Sequence, residues 1–187
     1  VLMSDIALHL PINGVSFGQV STALLREYYQ KGVQPFIFTT GQVDLSTQEI
    51  DNDFSKWIES CIKKSFESYD RSIEVFRLWH LNHESLSSFG KSQTLFTFYE
   101  LDHPTSYEVN IARNQSNVIV SSTHAKRVFE SVGLTNCHHV PLGFDKRNFF
   151  VKDQQYLEGK IVFNLTGKLE KRKHHKAVIQ AWLKKYG

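Results

Sequence analysis

Apolar residues in this chain fall into short runs separated by stretches with helical spacing. Residues 5–10 read as a buried strand closed by Pro11. Val20, Ala23, Leu24 and Tyr28 then recur on one helix face until Gly32, a suitable stop. Residues 33–40 read as a second strand. Strand, glycine-bearing turn, helix and strand together make a βαβ unit, the connection a parallel pair requires. The rhythm continues with Phe54, Trp57, Ile58, Cys61, Ile62 and Phe66 along one face of a second helix. Residues 72–78 and 94–98 are the third and fourth strands. A helix is expected over 104–114, entered through Pro104 in its first turn. Residues 117–121 form a fifth strand. Ser122 then caps a helix carrying Ala125, Val128, Phe129 and Val132 and stopped by Gly133. Residues 138–141 are a short sixth strand.

Strands alternating with helices in this way predict an α/β domain with a doubly wound parallel sheet over residues 1–150. Residues 151–159 are polar and irregular, as in a linker. A further strand is expected at 160–166 and a further helix at 174–186. A lone βα unit cannot bury both faces of its strand. Its apolar residues, from Ile161 and Phe163 to Ile179, Trp182 and Leu183, therefore need cover. They find it on their own domain or on another copy, which makes a homo-oligomer through residues 160–187 one expectation.

Composition narrows the class. The chain has 187 residues, 41% hydrophobic and 22% charged, which suits about one globular domain and excludes a disordered tail. No apolar run approaches the ~18 residues of a spanning helix. The N-terminal residues Val1 to Asp5 lack the charged and apolar parts of a signal peptide. Cys61 and Cys137 have no metal-ligand spacing and read as reduced thiols in a cytoplasmic protein. The adjacent pairs His138-His139 and His174-His175 do not share a helix face, so no metal site is expected.

Charge is unevenly spread. Residues 160–187 carry eight basic side chains against Glu170 alone, a net of +7 that leaves −4 for residues 1–159 out of a total of +3. So local a cluster suits a phosphate group or an anionic membrane surface as well as a duplex. A nucleic-acid partner is not expected, because only Trp182 and Tyr186 accompany the cations as aromatic platforms. Peripheral membrane association stays compatible with the cytoplasmic reading.

Three segments carry candidate chemistry. The first is Asn13-Gly14-Val15-Ser16-Phe17-Gly18, between strand and helix, where glycines allow close approach of a ligand to a helix N-terminus. It is also compatible with a plain turn, and it is not a G-x-G-x-x-G loop. The second is Val118 to Ser122, a helix, then Val140-Pro141-Leu142-Gly143-Phe144-Asp145 and Phe149. The third is Thr166-Gly167-Lys168-Leu169-Glu170-Lys171-Arg172-Lys173 ahead of the last helix. Cations held there suit a diphosphate, although such a run is also an ordinary solvated face.

In their order and separation, these segments resemble the retaining GT-B glycosyltransferases of the family 4 type, over nearly all 187 residues. That family leads its first strand into a glycine loop, here Gly14 to Gly18. It closes its N-terminal Rossmann-like domain with a V-P-S strand end, a helix ending in Gly, and a V-P-x-G-x-D-x-x-x-F stretch. Here these are Val120-Ser121-Ser122, Gly133, and Val140 to Phe149. It opens the second domain with G-R-L-x-x-x-K-G, matched by Gly167 to His174.

The resemblance implies a transferase that moves a sugar from a UDP- or GDP-linked nucleotide sugar to a sugar or lipid acceptor, with retention and without a metal. It implies that Lys168 and Lys173 hold the donor diphosphate, and that Gly18 and Gln19 meet the donor phosphate. Lys168 keeps the charge of the family's Arg but not its fork; Gln19 stands where a second Gly is common, and His174 replaces the Gly after the Lys. The stretch from Thr97 to Pro104 follows the fourth strand at the sheet's carboxyl edge, where such sheets bind ligands. Glu100 and His103 are its candidate catalytic groups, and Tyr99 a sugar contact. For Glu100 and His103 the plainer reading is a capping or loop-stabilising role. Trp79 and His80, with His83 and Glu84 after the third strand at the same edge, are candidates for sugar stacking, with a core Trp as the plainer reading. The family's paired Glu residues lie beyond Gly187, so the chain reads as an acceptor-side domain plus the start of a donor-side domain, inactive alone. A non-catalytic carbohydrate- or nucleotide-binding module on the same fold is the alternative.

Overall fold

A computed structural model describes residues 6–151 and 157–187. Two compact units divide the chain, residues 1–150 and 151–187. Asp5, at the expected start of the first strand, and residues 152–156 of the expected linker lie outside the described residues.

Six parallel strands form one sheet in the first unit: β1 (Ala7–Leu10), β2 (Phe36–Thr39), β3 (Val75–Leu78), β4 (Gln93–Thr97), β5 (Asn117–Val120) and β6 (Cys137–His139). Their spatial order is β2-β1-β3-β4-β5-β6. Leu8 lies beside both Ile37 and Phe76, and Leu95 beside Val118. The helices are α1 (Ser16–Gln30), α2 (Asn52–Glu67), α3 (Ser106–Arg113) and α4 (Thr123–Ser131). This is a Rossmann-like, doubly wound α/β fold.

The period-two alternation of the strands sorts the core into two layers. On one face Leu8, Leu10, Ile37 and Leu78 pack against Leu25 of α1 and Phe54, Trp57, Ile58 and Cys61 of α2. On the other, Leu95, Val118 and Val120 pack against Ile111 and Ala112 of α3 and Ala125, Val128 and Phe129 of α4. Phe54 and Phe129 are almost wholly buried, at 1% and 0% exposure. Burying side chains of this size is worth roughly 1.5–3 kcal/mol each.

Local chemistry fixes the helix starts. The Asp51 carboxylate accepts from Phe54 N at 2.7 Å, and Ser122 Oγ from Ala125 N at 3.1 Å. Thr105 and Glu108 form a reciprocal capping box on α3. Pro104 therefore precedes the cap instead of lying in the first turn; the Thr105 hydroxyl begins the helix one residue later. Val15 starts α1 without a side-chain cap.

Two expected faces are rotated. On α1 the buried stripe runs through Phe17, Gly18, Ser21, Thr22, Leu25 and Arg26. Val20, Ala23, Leu24 and Tyr28 are only half-buried. The buried Ser21 and Thr22 hydroxyls escape notice as core positions because they donate to the carbonyls of Phe17 and Gly18 within their own helix, each at 3.0 Å. On α2, Phe66 is 80% exposed because the stripe passes through Cys61 and Ser65, one residue short of it.

In the second unit a 3-10 turn at Lys171–Lys173 leads into α5 (His175–Tyr186). The expected strand at 160–166 does not form; those residues belong to no ladder. A strand's hydrogen bonds come only from a neighbour, and no other strand exists among the described residues of this unit. The rings of Phe163 and Tyr186 lie tilted against Trp182, with centroids 4.4 and 4.5 Å away. No residue of α5 is buried.

Candidate functional site

Strand order reverses beside β1, so the β1 and β3 ends flank the topological switch point, where open α/β sheets take ligands outside the carboxyl ends of their strands. The segments that leave those ends are residues 11–15 and 79–82. Trp79 and His80 sit here. Phe17 brings them together with the β4 exit: its ring lies 4.6 Å from His80, 6.0 Å from Trp79 and 4.5 Å from Phe98. His80 is exposed and Trp79 half-buried. The Trp79 indole donates to the Glu84 carboxylate, the largest of the causes that hold that carboxyl below its usual range. An aromatic face fixed at its polar edge suits a ligand that is apolar on one side and hydroxylated around its rim, as a sugar ring is.

The glycine segment is tightly folded on itself. Gly18 lies within the first turns of α1, and a Cβ there would run into the backbone of Asn13. A Cβ on Gly14 would meet the Thr47 side chain. Gln48 Nε2 donates to the Asn13 carbonyl at 3.3 Å, joining the same packing. Both glycines thus admit the chain's own atoms. The amide of Gln19 is engaged as well: its Nε2 donates to Gly14 O at 3.3 Å, and its Oε1 accepts from Asn148 Nδ2 at 2.7 Å.

After β4, Tyr99 turns inward. It is buried against Phe129 at 4.7 Å, and its hydroxyl donates to Glu108 at 3.4 Å. Burial first, then the Glu108 charge, pushes its phenol up to about 12. Glu100 and His103 are exposed on the loop that follows. Asp102 between them pairs instead with His124 in the first turn of α4, at 3.2 Å. Of the sequence-derived candidates, Trp79 and His80 are thus brought together. Tyr99 joins the core, and Glu100 and His103 share a loop without sharing a partner.

The stretch from Val140 to Phe149 has an architectural role. Asp145 accepts from Arg26 Nε at 3.3 Å, with both side chains under 10% exposed. Its Oδ1 also accepts from Arg147 N at 3.0 Å. Arg26 Nη2 donates to Glu49 O at 2.8 Å, and Asn148 Oδ1 accepts from Glu49 N at 3.1 Å. The stretch is so strapped to α1 and to the loop before α2. Beneath it runs an apolar groove of about 1010 Å³, lined by Val20, Ala23 and Leu24 of α1 and by Phe76, Phe96 and Ile119 of the sheet. The half-buried face of α1 is the groove wall.

In the second unit, Lys168 precedes the Lys171–Lys173 turn and Lys173 ends it, and both are exposed. His174 takes the left-handed conformation, φ 55°, at the position the related pattern gives to Gly. Among the described residues no three His, Cys, Asp or Glu side chains come together to hold a metal ion. No helix there is long and apolar enough to cross a membrane.

Sequence reading placed Glu84 at this edge but not its bond to Trp79, and it missed Arg77, His124 and the Arg26–Asp145 pair. A charged residue inside the apolar run Val75-Phe76-Arg77-Leu78 is a signal for Arg77. The others depend on contacts across the fold. No known protein family, curated protein or solved structure matches this chain.

Proposed function

We propose that this chain contributes part of a glycosyltransferase, which transfers a sugar from a UDP- or GDP-linked donor to a sugar or lipid acceptor, with retention. The observation that carries the reading is the order of three motifs along the chain: the Gly14–Gly18 turn and the Val140–Phe149 stretch in the unit with the doubly wound sheet, then the Gly167–His174 turn in the second unit. Lys168 and Lys173 supply positive charge for the departing diphosphate, which stabilises the bond-breaking step where negative charge develops. Trp79 and His80 offer a stacking surface at the switch point, with Glu100 and His103 nearby in sequence order as polar groups for sugar hydroxyls. No metal is required, because the lysines provide the charge.

Titrating the chain with UDP and GDP tests this. Millimolar-range binding that disappears in the Lys168→Glu, Lys173→Glu double variant supports the reading and ranks the two bases. Binding that survives the charge reversal, or no binding of either nucleotide, removes the donor half of it.

A further inference from the structure

We propose that Arg77 is a positioning residue: through the turn that covers it, Arg77 sets the Trp79 indole as a stacking face for a sugar ring. The inference rests on the carbohydrate reading above for its ligand, and on a chain of contacts for its geometry. Arg77 stands in the middle of β3 and is only 3% exposed. Its Nη1 donates to two carbonyls of the segment that follows the strand, Glu84 O at 2.7 Å and Ser87 O at 2.9 Å.

Two more buried side chains converge on that same turn. Gln93 Nε2 donates to Ser85 O at 2.8 Å, and Gln115 Nε2 to the same oxygen at 2.9 Å. Gln93 and Gln115 are also bonded to each other at 2.7 Å. Three buried polar residues, from β3, β4 and the segment just after α3, thus fix two carbonyls of one short 3-10 turn, His83–Leu86, and that of Ser87, which caps its end.

Glu84 joins this base to the surface. Its carbonyl is held by Arg77, and its carboxylate holds the Trp79 indole N–H. Rotation of the ring is restrained at its polar edge, and one side rests against His80 at 5.3 Å. The ring stays half-buried, with surface left for a partner. A cation inside an α/β core is costly compared with an apolar residue of similar volume. Among the described residues Arg77 has no carboxylate in ion-pair range. What it gains in this location is a defined posture for the turn. Holding a binding group in its bound orientation raises affinity by lowering the ordering cost of association.

The test uses the whole chain and the indole N–H resonances of its three tryptophans, with Trp79 assigned through Trp79→Phe. Glu84→Ala, at an exposed position, gives the Trp79 resonance its unbonded position. Arg77→Met is expected to move that resonance toward the same position, with Trp57 and Trp182 unmoved. Arg77→Lys, which can reach one carbonyl but not both, is expected to lie between and keeps the test open should Arg77→Met fail to fold. Saturation transfer to methyl α-D-glucopyranoside and methyl α-D-mannopyranoside is then read at Trp79, with a loss of fivefold or more expected in Glu84→Ala and the Arg77 variants. A Trp79 resonance unchanged in both Arg77 variants overturns the positioning role. A resonance that moves as expected, in a chain that takes neither sugar, upholds the positioning role and overturns the carbohydrate ligand.

Discussion

Removing Asp145 should loosen the first unit through one buried cation. In the Asp145→Ala variant, Arg26 stays at the inner side of α1 with its Nη2 on the Glu49 carbonyl and its Nε without the carboxylate. Breaking a buried pair by removing one partner typically costs about 3–5 kcal/mol. A single 3.3 Å contact argues for the lower end, about 3 kcal/mol. The turn at Asp145 also loses its bonds from Arg147 N and Asn148 N, for roughly 1 kcal/mol more. For a domain of this size the total corresponds to a melting temperature lower by about 8–16 °C. Arg26→Met removes the cation and leaves the Asp145 carboxylate, 9% exposed, without it. The double variant should be markedly more stable than the two single losses added together, because it leaves no buried charge unpaired. Urea unfolding of all four proteins gives the coupling energy. A coupling below about 0.5 kcal/mol, the limit for independent sites, refutes the idea that this pair straps residues 140–149 to α1.

Other consequences are as direct. Burial, with Arg77 beside it, lowers the His9 imidazole to about 4 from 6.5. The unfolded chain therefore takes up a proton that the folded chain refuses, so stability is intact above pH 6.5 and falls as pH drops from 6.5 to 4, by about 3 kcal/mol in full; a urea series at pH 7 and pH 4.5, repeated with His9→Phe, should show a flatter profile in the variant. Gly18→Ala should cost more than 2 kcal/mol or so, in the range of core overpacking, whereas Gly143→Ala should fall within ~0.5 kcal/mol, because only the first Cβ meets backbone. His174→Gly should steady the start of α5 by about 1 kcal/mol, the cost of a left-handed non-glycine residue, read as slower amide exchange at residues 178–180.

Much of the fold was legible from periodicity alone. The apolar run of each strand and the Phe54–Cys61 stripe of α2 are local signals, set by the pleat and by the helical repeat. The core face of α1 was not legible, because Ser21, Thr22 and Arg26 look like surface residues until their partners are known. Arg26 meets Asp145 across 119 positions of sequence, a distance over which pattern carries no information. Gly18 was visible as a special position, but a glycine admits the chain's own backbone as readily as a ligand, and here it admits Asn13. At 160–166 the β propensity of Ile161, Val162 and Phe163 is real, yet a strand needs a neighbour to become one. Trp79, His80 and Glu84 were legible from their place after β3, while the Trp79–Glu84 bond and the hold of Arg77 on the Glu84 carbonyl required the tertiary contacts.

The donor reading stands or falls on where a nucleotide diphosphate touches the chain. Residue-resolved amide shifts on adding UDP, and separately GDP, would locate it. The account predicts the largest shifts at residues 167–174, abolished by Lys168→Glu with Lys173→Glu, and none along α2. Shifts that miss residues 167–174, or that persist after both charges are reversed, would contradict it.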